Sequence, residues 1–132
     1  MIDDDAWLDL ERRLSRSRFR SRFHLKDNDK QYVLDKGYAE IEAQCIGYVR
    51  KRLLHDMGER DGSQCPMKGH PVFIACHATA LCCRGCMEKT HGIMRGHDLT
   101  EDEIGYIVSV IMRFISKEME GYRSDAVQGL LF

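Results

Sequence analysis

At 132 residues, with 43% hydrophobic and 31% charged side chains, the chain has the size and composition of one soluble globular domain with its own core. A net charge of -1 and a pI near 6.6 exclude bulk attraction to nucleic acid. The N-terminus MIDDDAW has no basic segment ahead of an apolar one and does not read as a secretory signal. The most apolar runs, 72–83 and 104–115, are too short and interrupted to span a bilayer. A reducing cytoplasm is the expected compartment, where paired cysteines are rare. The expected organisation is a single domain over 1–132, with an acidic N-terminal helix region at 1–13 and a C-terminal tail at 120–132.

In chain order, Trp7, Leu10 and Leu14 repeat at helical spacing and predict a short helix over 6–16. SRFRSRFHLK follows as an extended or irregular link. Asp27 or Asn28 can cap a helix over 29–35 that Gly37 ends. Ile41, Cys45, Val49 and Leu53 recur every fourth residue and predict a longer helix from Tyr38 to His55, with Cys45 as a small core residue. MGERDGSQCPMKG is a polar, glycine-rich loop. Pro71 suits the first turn of a helix running to Ala80, and a second short helix is expected from Cys82 to a cap at Gly92. Thr100 and Glu103 form a T-x-x-E capping box, and the stripe from Ile104 to Met119 predicts a long, central last helix. The fold class is mainly α, about five helices, with little or no β structure.

The segment from His70 to His97 holds four of the six histidines and four of the six cysteines. Thiolate and imidazole are the side chains that hold zinc most tightly. Cys83-x2-Cys86-x4-His91 is the strongest pattern, because a C-x2-C turn brings two sulfurs to one tetrahedral ion at about 2.3 Å. His97 would complete a knuckle-like spacing, His77 competes as the fourth ligand, and Cys82 and His70 are reserves. Neighbouring side chains on a helix diverge by about 100°, which argues against Cys82 and Cys83 binding the same ion.

Other chemistries fit parts of the segment. Cys83 and Cys86 form a C-x-x-C pair suited to thiol–disulfide exchange, with Arg84 beside them. An iron–sulfur cluster on Cys76, Cys82, Cys83 and Cys86 is a weaker alternative that leaves the histidines unexplained. A metal-dependent hydrolase with Glu88 as base is a further reading, although neither the deaminase nor the H-E-x-x-H pattern is present. Close packing of small apolar residues in ACHATALCC competes with all of these.

RFRSRFHLKD, PMKGHPVFIA, HATALCCRGCMEKTHGI and LTEDEIGYIVSVIM together resemble the small bacterial family known as domain of unknown function 4186, over about Leu14 to Met119. No activity carries over with that resemblance. It does imply a ligand order: the family pattern aligns with His70, His77, Cys82, Cys83, Cys86 and His91, whereas Cys65, Cys76 and His97 fall at positions the family fills differently. Thr90 stands where the pattern has Trp. The resemblance therefore implies a zinc set of His77, Cys83, Cys86 and His91.

From Arg12 to Lys26 there are seven basic residues and no acidic one. Arg16, Arg18, Arg20 and Arg22, interleaved with Phe19 and Phe23, resemble a nucleic-acid contact surface, since guanidiniums pair with phosphates and rings stack on bases. The competing expectation is a solvated face, or pairing with Asp3–Asp5. The combined expectation is a metal-binding helical protein with a structural zinc site and an arginine face for an anionic partner. An enzyme of thiol-redox or hydrolytic type is the alternative.

Overall fold

The last helix organises the molecule. In a computed structural model describing residues 1–122, α7 runs Glu101–Glu118. Its start is the expected capping box: the Thr100 hydroxyl accepts from the Glu103 amide at 3.1 Å, and the Glu103 carboxylate accepts from the Thr100 amide at 2.9 Å. Ile104, Ile107, Val108, Val110, Ile111 and Ile115 are buried along it. Each fully buried isoleucine contributes about 1.5–3 kcal/mol, so this stripe is the main apolar contribution to the fold.

Helix α4, Tyr38–Arg52, lies against α7 through Ile41, Cys45 and Val49. Burial pushes the Cys45 thiol up to about 12, in keeping with a core cysteine. Helix α5, Pro71–Ala78, is buried at every residue but Phe73 and also packs on α7. Helix α3, Asp27–Lys36, bridges α4 and α5. Helices α1, Asp4–Leu14, α2, Arg18–Ser21, and α6, Arg84–His91, complete the set, with one 3-10 turn at Gly58–Arg60. Trp7 and Leu10 turn α1 into the core, while Asp4 pairs with Arg113 and Glu11 with Lys117 of α7. Among the described residues there is no strand, and no helix is long and apolar enough to cross a membrane. The expected tail lies outside the described residues from position 123 onward.

The mainly-α reading holds, with seven α-helices among the described residues rather than about five. The additional elements are short. Ser17 caps α2 by accepting from the Arg20 amide at 3.2 Å, turning the expected extended link into one helical turn. Helix α5 stops at Ala78, two residues before the expected end. Ala80 adopts a left-handed conformation (φ 62°), and the Leu81 amide reaches back to the Cys76 carbonyl at 2.8 Å. That reversal is less favourable for alanine than for glycine, and the fully buried Ala80 holds it by packing. Gly92 ends α6 at φ 71° as expected.

Arg84 is fully buried, an unusual place for a guanidinium. It donates to three carbonyls on two loops: Leu54 at 3.1 Å after α4, and Met94 at 3.1 Å and His97 at 2.9 Å before α7. One side chain thus ties the end of α4 and the segment before α7 to the first turn of α6. Arg84→Ala leaves those carbonyls buried without donors, and we expect it to lower stability in urea unfolding by about 3 kcal/mol or more. Arg84→Lys keeps the charge but cannot reach all three acceptors, and should recover only part of that loss.

Candidate metal centre

The bend that follows α5 delivers three thiols to one place. The sulfurs of Cys82, Cys83 and Cys86 all lie within 4.8 Å of one another. Cys83 is the N-cap of α6, in an extended conformation, and its sulfur accepts from the Cys86 amide at 3.4 Å. Helix α6 begins only at Arg84, so Cys82 and Cys83 are not successive helical residues. The divergence of neighbouring helical side chains therefore does not separate Cys82 from Cys83, because the chain bends there and both sulfurs lie near that of Cys86.

Two charged groups shape the cluster. Arg20, on α2, donates to the His77 carbonyl at 2.7 Å and to the Cys86 sulfur at 3.1 Å, with the Cys82 sulfur at 3.8 Å. The Cys86 hydrogen bond, then Arg20, hold the Cys82 thiol below its ordinary value against the opposing effect of burial. Burial pushes Cys83 up to about 11, and the hydrogen bond to Cys82 pushes Cys86 up. The set therefore carries its first negative charge at Cys82, next to a guanidinium.

Asp61, from the polar loop, receives the start of α6. Its carboxylate accepts from the Arg84 amide at 2.9 Å, the Gly85 amide at 2.9 Å and the Gln64 side chain at 2.7 Å. This anion at a helix N-terminus satisfies amides that have no partner within the helix. The approach is close at Gly85, where a Cβ would stand 2.9 Å from the Asp61 carboxylate oxygen and displace it.

The four-residue set His77, Cys83, Cys86 and His91 is not brought together as a group. Two of its members, Cys83 and Cys86, join the reserve Cys82, while the histidines are engaged elsewhere. His91 spends both ring nitrogens, one with the Thr79 carbonyl at 2.7 Å and the other with the Tyr106 hydroxyl at 2.8 Å. Burial pushes its imidazole down, towards the neutral form. His70 caps α5 by accepting from the Val72 amide at 3.0 Å and meets Gln44 at 2.7 Å with its other nitrogen. His77 stacks on Phe23 and meets the Cys65 carbonyl at 3.2 Å, and the Cys65 side chain pushes its imidazole up. His97 pairs with Glu103. Glu88 accepts from the Arg95 amide at 2.9 Å, so the base invoked for hydrolysis is occupied closing a loop.

The arginine run divides. Arg16, Arg18 and Arg22 are exposed, whereas Arg20 turns inward to the sulfurs. Sequence reasoning missed that division, and missed Asp61 and Cys65. Local pattern treats the arginines of SRFRSRF alike, and an aspartate in a glycine-rich loop carries no local signal of what it receives.

Burial opposes ionisation of Asp61, but the hydrogen bonds from Gln64, Gly85 and Arg84 outweigh it and hold the carboxyl below its ordinary value of 3.8. A carboxylate depressed in the folded state adds stability that is complete above the ordinary value and lost as pH falls through the folded one. We expect wild-type stability to decline as pH drops below 3.8. Asp61→Asn should flatten that part of the pH profile in thermal unfolding, at a cost of about 1–3 kcal/mol near neutrality.

Comparison with known proteins adds a family and no activity. No solved structure matches the chain at a significant level. One family model matches from residue 9 to residue 116, which includes the three cysteines, Arg20, Asp61 and Arg84. The chain belongs to the family described as domain of unknown function (DUF4186).

Proposed function

We propose that the protein holds a soft metal ion, zinc in the first instance, on the thiolates of Cys82, Cys83 and Cys86. The observation that carries this reading is the convergence of three sulfurs within 4.8 Å at the start of one helix. Thiolates favour zinc, copper(I) and iron–sulfur centres over harder ions, and the one carboxylate beside them, Asp61 next to Cys83, is taken up by the Arg84 and Gly85 amides. Three thiolates on a divalent ion leave one net negative charge, and the Arg20 guanidinium beside Cys86 and Cys82 offsets it. Such an ion would tie the bend after α5 to α6 and, through Arg20, to α2. Reduced thiols suit the cytoplasm as the compartment. The thiol-redox alternative uses Cys83 and Cys86 of the same cluster.

Protein purified under reducing conditions should contain about one zinc per chain. Three thiols should be masked from a thiol reagent until the metal is chelated. Cys86→Ser should weaken zinc by at least about 100-fold, and Arg20→Gln by about 10-fold, as expected for a ligand and for an outer partner. A metal-free protein that forms a reversible disulfide among these cysteines would replace this reading with the redox one.

An anionic partner on the arginine face is a second, separate proposal, favoured by the exposure of Arg16, Arg18 and Arg22 beside Phe19, which is 44% exposed. Three phosphate contacts on single-stranded nucleic acid predict a log–log salt slope of about -2, so affinity should fall by about tenfold or more between about 50 and 200 mM salt. Fluorescence anisotropy with a labelled oligonucleotide measures it. A salt-insensitive signal would leave these arginines as a solvated surface.

A further inference from the structure

Tetrahedral zinc takes four ligands, and the cluster supplies three. Cys82 and Cys83 are buried, and Cys86 is the half-buried member, so the cluster meets solvent on the Cys86 side. That side is a cleft of about 430 Å³ between α1, α2 and α6. Besides Cys86, its walls include Arg13, Arg20, Lys89, Ser17 and Phe19, and among the described residues no acidic side chain lines it.

The cations differ in how far they are committed. Arg20 is held by the sulfurs and by the His77 carbonyl. Arg13 is held by Asp9 and by the Thr90 carbonyl. Lys89 is exposed and makes no hydrogen bond or ion pair among the described residues, so its ammonium is available to a ligand. The cleft is therefore cationic on its walls and opens on a thiol cluster one ligand short of four. An occupant satisfying both features must be anionic and must bring a soft donor atom of its own. The volume lies at the small end of ordinary ligand pockets, enough for a molecule of two or three residues.

We propose that this cleft binds a low-molecular-weight thiol bearing carboxylates, whose sulfur takes the fourth position on the metal while its carboxylates face Lys89 and Arg13. The inference rests on the metal reading above. In binding, the thiol S–H bond breaks, its proton passes to buffer, and a metal–sulfur bond forms in place of a bound water. No oxidant or reductant is involved.

Cobalt(II) in place of zinc makes the site visible, because its bands report the number of sulfurs bound. Glutathione is the probe, with S-methylglutathione as the carboxylate-bearing control that lacks a free thiol and cysteamine as the thiol that lacks carboxylates. Glutathione is expected to add sulfur-to-cobalt intensity with one-to-one saturation. S-methylglutathione should leave the bands unchanged, and cysteamine should need a far higher concentration. Lys89→Gln should weaken glutathione by about threefold to fivefold, the scale of a partly exposed charge contact. Cobalt bands that glutathione leaves unchanged, or cobalt stripped into the filtrate as its glutathione complex, would overturn this inference and leave the metal site standing. Failure of the reduced protein to bind cobalt or zinc at all would overturn both.

Discussion

The placement of α6 depends on two charged side chains buried against its first turn. Asp61 receives the amides of Arg84 and Gly85, and the Arg84 guanidinium spans the carbonyls of Leu54, Met94 and His97. Neither group makes a direct ion pair with the other; Arg84 is held by backbone carbonyls through its two terminal nitrogens, and Asp61 by two backbone amides, the Gln64 side chain and Arg95. Together they hold an eight-residue helix, too short to be stable by itself, against the central packing of α4, α5 and α7. Because Cys83 caps that helix and Cys86 lies in its first turn, whatever fixes the helix also fixes the thiols.

The thiol cluster is thus a consequence of helix capping as much as of cysteine spacing. A C-x2-C pair alone would reach one ion from many backbones. Here the bend after α5, produced by the left-handed Ala80, turns Cys82 back towards the other two. Arg20 then supplies positive charge from a different helix, over 60 residues away in sequence. The resulting environment lowers the cost of negative charge on Cys82, while burial raises it on Cys83 and the bond to Cys82 raises it on Cys86. A second thiol pair illustrates the contrast. Cys76 is fully buried, and the neighbouring Cys76 and His77 side chains draw the Cys65 thiol down. With the wall of α5 around it, that pair lacks the open side that Cys86 has.

The site was only partly legible in the sequence. The density of cysteine and histidine between His70 and His97 marked the segment that carries the three converging thiols, and the pairing of Cys83 with Cys86 was recognisable from spacing. His77 and His91 entered the expected ligand set because a ligand and a helix-capping or loop-bracing imidazole have the same local signature. His70 and His91 each place two nitrogens on protein groups, and only their neighbours in space reveal it. Cys82 was undervalued for the opposite reason: a helix assumed to begin at Cys82 separates two sulfurs that a bend brings together.

What the sequence by itself determined is the helical class, the long capped α7, the α4 stripe and the terminating glycines at 37 and 92. These are properties of residues within a few positions of one another, where apolar period and capping chemistry act directly. The tertiary structure decided which arginine faces sulfur, which aspartate receives α6 and which of the metal-competent side chains share a site. Those outcomes depend on contacts between α2, the polar loop and the bend after α5. Such contacts are set by how helices pack and where buried charge finds dipoles, and no local window of the chain records them.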